Sequence, residues 1–254
     1  MKKLKFISKK FIKFNKKYYK ISRNQLLILD SLLYDGSVKK YIDSKKNVRF
    51  SEHFGLLDFD KNKLEKIIIS GDTTREEDDD IEILFPNDPF DIFDYEFMFH
   101  THPPTIGRID NGIIYEFPSV NDVFHFIENF NKGIIQGSLI IAPEGIYTIT
   151  YKKNVKKIKY KLNDEDKLFN LLDDKLNKLH MLSIKKYGTK FTQEFYYKNI
   201  IKNKYFINSL NKYLKKLFNN QIKINYVNRT YDKITNSWII DTLYLKVSAI
   251  EPIK

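Results

Sequence analysis

The chain has 254 residues, 42% of them apolar, which is enough for one good core and a smaller second one. No stretch approaches the roughly 18 apolar residues of a membrane span, and no apolar segment follows the basic N-terminus. We therefore expect an intracellular, cytoplasmic protein with no membrane partner. The absence of cysteine excludes a disulfide framework and a thiolate zinc site, so a transition metal would have to be bound by histidine and carboxylate.

The net charge of +12 is unevenly distributed along the chain. Residues 1–23 contain nine lysines and one arginine and no acid, giving +10, whereas residues 72–96 contain eleven acids and one arginine, giving −10. A basic arm of this kind can bind nucleic acid or another anionic surface, although most charge runs are simply solvated. The heavy use of lysine, asparagine, isoleucine, tyrosine and phenylalanine indicates an AT-rich genome, such as that of a large DNA virus or an AT-rich microbe.

The first half of the chain shows helix and hairpin signals. Ser22 is a good N-cap for a leucine-rich helix that stops at Asp35-Gly36. Residues 48–60 predict a strand, and Lys61-Asn62 predicts a turn into a second strand over residues 63–70. The segment from Phe97 to His102 then has the composition of a strand that ends at two prolines.

A helix is predicted to begin at Ser119, because apolar residues follow it with helical spacing up to Phe130, and Gly133 is well placed at its C-terminal end. Residues 137–143 and 146–151 predict a strand–turn–strand unit. We place a domain boundary near residue 155, with a basic arm and the first domain in 1–155. Residues 156–254 predict two leucine-rich helices, one over about 164–187 with a stripe from Leu168 to Leu182 and one after Thr192, then a hairpin between residues 222–228 and 238–247.

Chemistry-bearing side chains are concentrated between Phe97 and Asp122. Strand side chains alternate, so His100 and His102 project to the same side. Ser119 and Asp122 are three residues apart at a helix start and can face one point. Two imidazoles and a carboxylate form a plausible three-ligand zinc set. The simpler alternatives are a capping box for Ser-x-x-Asp and a pair of hydrogen-bonded surface histidines for His-x-His.

Taken together, these motifs resemble the signature of the JAMM (MPN+, JAB1/MPN/Mov34) zinc metalloproteases, H-x-H-P followed by P-S-x-x-D. The family also has an upstream E-x-x-G-L-L motif, which Glu52-His53-Phe54-Gly55-Leu56-Leu57 supplies here. The resemblance covers about residues 25–151. Two features depart from the family pattern: 20 residues separate His102 from Asp122, more than in compact members, and Asp58-Phe59 replaces the glycine that follows the upstream motif.

The resemblance implies an α/β fold with an MPN (cytidine-deaminase-like) core, whose mixed or antiparallel curved sheet is flanked by helices, followed by an α+β C-terminal extension. It implies a Zn²⁺ cofactor held by His100, His102 and Asp122, with Glu52 as general base for a zinc-bound water and Ser119 as hydrogen-bond donor to the developing oxyanion. The implied reaction is hydrolysis of the isopeptide bond that joins ubiquitin or a ubiquitin-like protein to lysine.

Two other functions remain open on the sequence. One is a catalytically silent MPN scaffold, although silent members typically lose ligands that are retained here. The other is a nucleic-acid-binding or particle-associated protein that uses its basic ends. We also expect the loop over residues 103–117 to overhang the cleft, with Ile109, Ile113, Tyr115 and Phe117 available to contact a protein substrate, and the acidic run over 72–96 to attract a basic partner surface.

Overall fold

The computed structural model describes most of the chain in ordered elements. Its described residues are 18–38, 41–42, 46, 48–49, 51–74, 95–104, 106–152, 155–160, 165–189 and 192–246. The basic arm before residue 18 and most of the acidic run (75–94) lie outside these residues. So does Asn163, which the sequence predicts as the N-cap of the helix over about 164–187. Within them, no helix is both long and apolar enough to cross a membrane.

Runs of strands and runs of helices follow one another along the described residues. The strands are β1 Tyr18–Ile21, β2 Tyr41–Ile42, β3 Val48–Arg49, β4 Ser51–Asp60, β5 Lys63–Thr74, β6 Phe97–Thr101, β7 Gly137–Ala142, β8 Gly145–Tyr151, β9 Ile222–Asn228, β10 Thr230–Asp232, β11 Ser237–Ile239 and β12 Leu243–Lys246. The helices are α1 Arg23–Ser37, α2 Ile106–Asp110, α3 Val120–Asn131, α4 Glu165–Tyr187, α5 Gln193–Phe195, which continues as a π-helical turn over Tyr196–Ile200, and α6 Tyr205–Leu217.

The described residues form a curved, mixed sheet of eight strands in the order β12-β1-β5-β4-β6-β7-β8-β9, flanked by helices. Only the pairs β1/β5 and β6/β7 are parallel. The predicted hairpin is present as β4 and β5, and Lys61 and Asn62 between them both adopt positive φ, 45° and 71°. Such a two-residue turn matches the twist of the strands that it joins. The prediction of a mixed α/β fold with a curved sheet is therefore confirmed.

The sheet separates two hydrophobic cores, because successive side chains in a strand point to opposite faces. Phe97 and Phe99 of β6 belong to the core that α1 covers, whereas Met98 belongs to the core covered by α3, α4 and α6. Every residue of β6 is buried. Gly55 of β4 allows this close packing: a Cβ there would lie 2.5 Å from the Phe99 ring and 2.0 Å from the Ile68 carbonyl oxygen.

The last hundred residues contribute to both ends of the same sheet. β9 pairs with β8, and β12 pairs with β1. The predicted hairpin between residues 222–228 and 238–247 is therefore wrong, because the first segment pairs with β8 and the end of the second pairs with β1; the hairpin that forms is the short pair β10/β11. Within α4, Leu168, Leu172, Leu176 and Leu179 are buried as predicted, but Leu182 is exposed.

A buried ion pair joins α1 to the end of β9. The guanidinium of Arg229 donates to both carboxylate oxygens of Asp30, at 2.9 and 2.6 Å, and also to the carbonyl oxygens of Ala142 and Pro143. Arg229 is 5% exposed. Because all of these acceptors face one buried cation, the pair fixes the position of α1 against the β7–β8 turn.

We predict that Asp30→Ala lowers the free energy of unfolding by about 2–3 kcal/mol, since the change leaves a buried guanidinium without its anion. Denaturant unfolding followed by circular dichroism measures the difference. Asp60→Ala is the matched control, because the contact of Asp60 with Lys61 is exposed and 4.0 Å long and should contribute at most about 1 kcal/mol. Equal losses in the two variants would contradict the assigned role of the Arg229 pair.

Candidate metal centre

The two histidines lie where the strand prediction placed them. His100 is in β6 and His102 directly follows it, and both are buried, 2% and 3% exposed. They share the strand face of Met98, opposite Phe97 and Phe99. They are not surface histidines, so that alternative is excluded.

Asp122 approaches from the first turn of α3. Ser119 is the N-cap: its Oγ accepts a hydrogen bond from the Asp122 backbone N–H at 3.1 Å, and its own N–H donates to Asp122 Oδ2 at 2.6 Å. This is the capping box considered from the sequence. It does not compete with a role for Asp122 in the site, because the same carboxylate also faces both histidines.

The three side chains converge on one point. His100 Nε2 lies 2.9 Å from Asp122 Oδ1, His102 Nε2 lies 3.2 Å from Asp122 Oδ2, and the two Nε2 atoms are 3.0 Å apart. These two ring nitrogens and two carboxylate oxygens cannot all direct lone pairs at one another over such distances, so protons or a cation must lie among them. Tetrahedral zinc with bonds of about 2.0–2.1 Å needs ligand atoms about 3.3 Å apart. The observed spacings are close to this requirement, and the two-imidazole, one-carboxylate set suits a transition metal.

The electrostatics of the site favour an ionised carboxylate. Burial by itself would raise the pKa of Asp122, but the charges and hydrogen bonds of the facing His100 and His102 hold that pKa well below its usual range. An ionised Asp122 carboxylate is the form of this ligand that a divalent cation requires.

Glu52 lies on the same face as the histidines. β4 pairs with β6 so that Phe54 is opposite His100, and their rings stack with centroids 5.8 Å apart. Two residues further along the two strands come Glu52 and His102, so alternation directs their side chains to the same side of the sheet. Glu52 is 6% exposed. Its neighbour His53 points the other way, as expected, and contacts Asp35 of α1 at 2.9 Å.

A buried network that the sequence did not reveal supports His102. The His102 Nδ1 lies 3.3 Å from the carbonyl oxygen of Glu116, the geometry in which Nδ1–H donates and Nε2 keeps its lone pair for the site. The Glu116 N–H donates in turn to Glu144 Oε1 at 2.6 Å, and Tyr147 OH donates to the same oxygen. Glu116 and Glu144 are single buried carboxylates in a loop and a tight turn, where no periodic pattern marks a residue, so the sequence gives no signal for them.

The segment between the two histidines and Asp122 is only partly a binding surface. Tyr115 and Phe117 are 1% and 5% exposed and stack on each other, and Tyr115 OH donates to the Ile200 carbonyl at 2.7 Å. The prediction that Tyr115 contacts a substrate protein is therefore wrong, because the helices after residue 165 cover it, whereas Phe117 reaches an open cleft with only a small part of its surface. Ile109 is exposed, and Ile113 lines an open cleft.

A cleft of about 670 Å³ opens beside the triad. His102, Pro118 and Ser119 form the end nearest the site, and the opposite wall is α4. The leucine stripe of the sequence marks only the core-facing side of α4, and no sequence pattern marked its cleft-facing residues. His180 in fact lines the cleft and packs on the Phe117 ring.

Comparison with known proteins gives one relative and no assigned activity. The chain is 35% identical over 243 residues to the uncharacterized protein R413 of Acanthamoeba polyphaga mimivirus, an alignment that covers 90% of this chain and 65% of that protein. The chain thus spans slightly less than two thirds of that relative's length. No family model matches the chain, and no solved structure matches it. A viral relative agrees with the AT-rich composition.

We predict that Asp122→Ala abolishes binding of one zinc equivalent, because it removes the only anion of the three-residue set. Metal content after dialysis against zinc, and titration with Co²⁺ followed by its visible absorption, measure the loss. Ser119→Ala is the control for the capping box: it should cost about 1 kcal/mol of stability and retain the metal. Loss of metal in both variants would mean that the helix start, not the carboxylate, controls binding.

A second prediction concerns the buried Glu144. Burial and the nearby Glu116 raise its pKa to about 7 from an ordinary value of 4.5, although the hydrogen bond from Tyr147 opposes the shift. The folded state therefore holds a proton that the unfolded state loses between pH 4.5 and 7, so this group's contribution to stability falls as the pH rises through that window. Glu144→Gln should flatten the decline in unfolding free energy between pH 4.5 and 7.

The matched control for Glu144 is Glu128→Gln, which neutralises an exposed carboxylate paired with Lys132. It should leave the pH dependence of stability between 4.5 and 7 unchanged. Parallel profiles for wild type and Glu144→Gln would contradict the raised pKa.

Proposed function

We propose that this chain is a zinc-dependent isopeptidase of the JAMM type, with an MPN-like sheet, that hydrolyses ubiquitin or ubiquitin-like conjugates. The single observation that carries the proposal is the buried convergence of His100, His102 and Asp122 at the end of a cleft. The motif resemblance supports it, because Glu52 and Ser119 occur at the expected sequence positions. Glu52 lies on the strand face of the two histidines, and Ser119 lies at the start of the helix that bears Asp122. The fold class supports it at the level of a curved mixed sheet flanked by helices.

A zinc ion held by His100, His102 and Asp122 would supply Lewis acidity, which lowers the pKa of water and polarises a carbonyl group. The chain's own residues supply the remaining chemistry. Glu52 lies on the strand face of the two histidines, where a carboxylate can take a proton from the attacking water and pass it to the departing lysine amine. The Ser119 hydroxyl already accepts from Asp122 N–H and keeps its own proton to donate to the substrate carbonyl oxygen.

The surroundings support this division of roles. The Glu116 carbonyl fixes the tautomer of His102, and the capping box fixes the Asp122 carboxylate, so the ligands keep their orientation without substrate. Because His100, His102 and Asp122 are all buried, little bulk water surrounds them, and the electrostatic contacts among them are stronger than they would be in water. A preorganised set of this kind can act on a substrate that arrives along the cleft.

We predict that Glu52→Gln lowers hydrolysis of ubiquitin conjugates at least about 100-fold while retaining zinc, because a positioned base typically contributes that much and Glu52 is assigned a proton and not the metal. Cleavage of ubiquitin chains of defined linkage, together with metal analysis of the same samples, separates the two effects. A Glu52→Gln variant with more than about a tenth of wild-type activity would contradict the assigned base. A wild-type chain that binds zinc and cleaves no linkage would instead favour the silent scaffold.

A further inference from the structure

We propose that the outward side of β1 and β12 binds a single-stranded polynucleotide, with two tyrosine rings stacking on its bases and the neighbouring lysines contacting its phosphates. We call this surface the tyrosine–lysine face; it consists of Tyr18, Lys20, Tyr244 and Lys246. In the sheet, β5 and β4 separate β1 from β6. The face is therefore distinct from the triad site, and the proposal does not depend on the proposed hydrolysis.

The side chains of the tyrosine–lysine face point outward because the residues between them are committed to the core. The inward residues of the two strands, all buried in the core beneath α1, are Tyr19, Ile21, Leu243 and Leu245. Strand alternation turns their neighbours to the other side of the sheet. There Tyr18 and Tyr244 are 49% and 61% exposed, and Lys20 and Lys246 are exposed as well. Helices α3, α4 and α6 cover this side of the sheet over the strands from β6 to β9, so β1 and β12 present it to solvent.

The register of β1 with β12 alternates rings and charges across the face. Tyr18 lies opposite Lys246, and Lys20 lies opposite Tyr244. Each ring therefore has one lysine beside it on the partner strand and another two residues along its own strand. The two tyrosines are diagonal neighbours, which are about 7–8 Å apart in an antiparallel pair. Sheet-based RNA-binding domains stack successive bases on aromatic rings that are presented by a sheet in this way.

Positive charge continues from the face onto the next strand. Lys63 of β5 is in register with Lys20 and is also exposed. Among the residues that the structure describes, no carboxylate forms an ion pair with Lys20, Lys63 or Lys246. The row ends at Asp60, opposite Lys63, and the Lys61 amino group lies 4.0 Å from the Asp60 carboxylate. Lysines without a protein anion are the groups that bind phosphates and release counterions.

The sequence adds further charge directly next to this face. Residues 1–17 contain eight lysines and no acid, and they are followed at once by Tyr18. A segment of this composition attracts polyanions. The exposed rings require more of the partner than negative charge, because they offer a flat apolar surface. A single-stranded polynucleotide meets both requirements, since it carries a phosphate at every step and bases that are free to stack.

A simpler explanation is that lysines at the edge of a sheet prevent it from pairing with another chain. This explanation suits Lys246, because β12 is the edge strand. It does not suit Lys20, because β1 is paired on both sides, with β12 and with β5. Nor does it explain the two tyrosines, because exposed apolar surface at an edge favours pairing with another chain.

The first test of stacking uses the full chain and a fluorescein-labelled oligo(dT) of about 15 nucleotides, near the upper size of single-strand sites. Fluorescence anisotropy at about 50 mM salt, where screening is weak, measures Kd. Tyr244→Leu should weaken binding at least about fivefold, because it removes a stacking ring and keeps an apolar side chain. Tyr244→Phe keeps the ring and should bind like the wild type. The matched control is Tyr34→Leu, since Tyr34 is 72% exposed on α1, on the other side of the sheet.

A second pair of variants tests the lysines through the salt dependence of binding. In a plot of log Kd against log salt concentration, Lys20→Gln should lower the slope by about 0.7, the contribution of one phosphate contact with a single strand. Lys223→Gln is the matched control, because Lys223 is an exposed lysine of β9, at the opposite edge of the same sheet. It should leave the slope unchanged. Circular dichroism of each variant checks that the fold is retained.

A duplex of the same length separates stacking from charge. Its bases are already stacked on one another, so Tyr244→Leu should leave duplex binding unchanged. Equal losses for the duplex and the single strand, or equal effects within either matched pair of variants, would overturn the proposal and leave a general attraction between charges. Binding to vesicles of phosphatidylcholine and phosphatidylserine without binding to the oligonucleotide would overturn it in favour of a membrane surface. The probe has no isopeptide bond, so these outcomes do not bear on the proposed hydrolysis.

Discussion

Burial of β6 on both faces is the constraint on which the rest of the structure depends. Phe97 and Phe99 anchor the strand in one core, and the glycine at position 55 lets the neighbouring strand approach the Phe99 ring. Because successive side chains of a strand point to opposite faces, His100 and His102 then lie on the other face of the sheet, on the side of α3 and α4. The packing of Phe97 and Phe99 thus sets the side of the sheet on which the imidazoles lie, whereas contacts with Phe54, Glu116 and Asp122 hold the rings themselves.

Asp122 has two structural roles at once: it caps the start of α3 and it belongs to the candidate metal site. One set of hydrogen bonds closes the capping box with Ser119, and the other set faces the two imidazoles. A carboxylate in the first turn does not lower the stability of the helix, because the N–H groups there have no acceptor within the helix and need one from elsewhere. The two explanations that the sequence offered for Ser-x-x-Asp are thus parts of one arrangement.

The C-terminal half gives the sheet its edges and the candidate site its cleft. β9 and β12 extend the sheet on opposite sides, Arg229 joins β9 to α1, and α4 forms the wall opposite Ser119. Tyr115 is buried because residues after 165 cover it, and its hydroxyl group bonds to Ile200. The long connection between His102 and Asp122 therefore serves partly as core, whereas its Ile109 is exposed and its Ile113 lines the cleft.

The sequence by itself determined the local elements and the identity of the triad. Periodicity and caps predicted α1, the β4–β5 hairpin, β6 and α3, since each depends on contacts within a few residues. The same local signals placed His100, His102, Ser119 and Asp122 at a strand end and a helix start. The convergence of these side chains was predicted from their resemblance to a family motif, because the order and spacing of such a motif reflect a tertiary arrangement.

Only the tertiary structure decided which strands pair and what surrounds the triad. Nothing local distinguishes β9 as a partner of β8 from β9 as half of a terminal hairpin, because any exposed strand edge offers the same hydrogen bonds. Glu116, Glu144 and the cleft face of α4 likewise gave no sequence signal, since they act through long-range contacts such as Glu116–Glu144 and Phe117–His180, which are 28 and 63 positions apart. Sequence patterns report which face of an element is apolar, and the folded chain alone shows what that face meets.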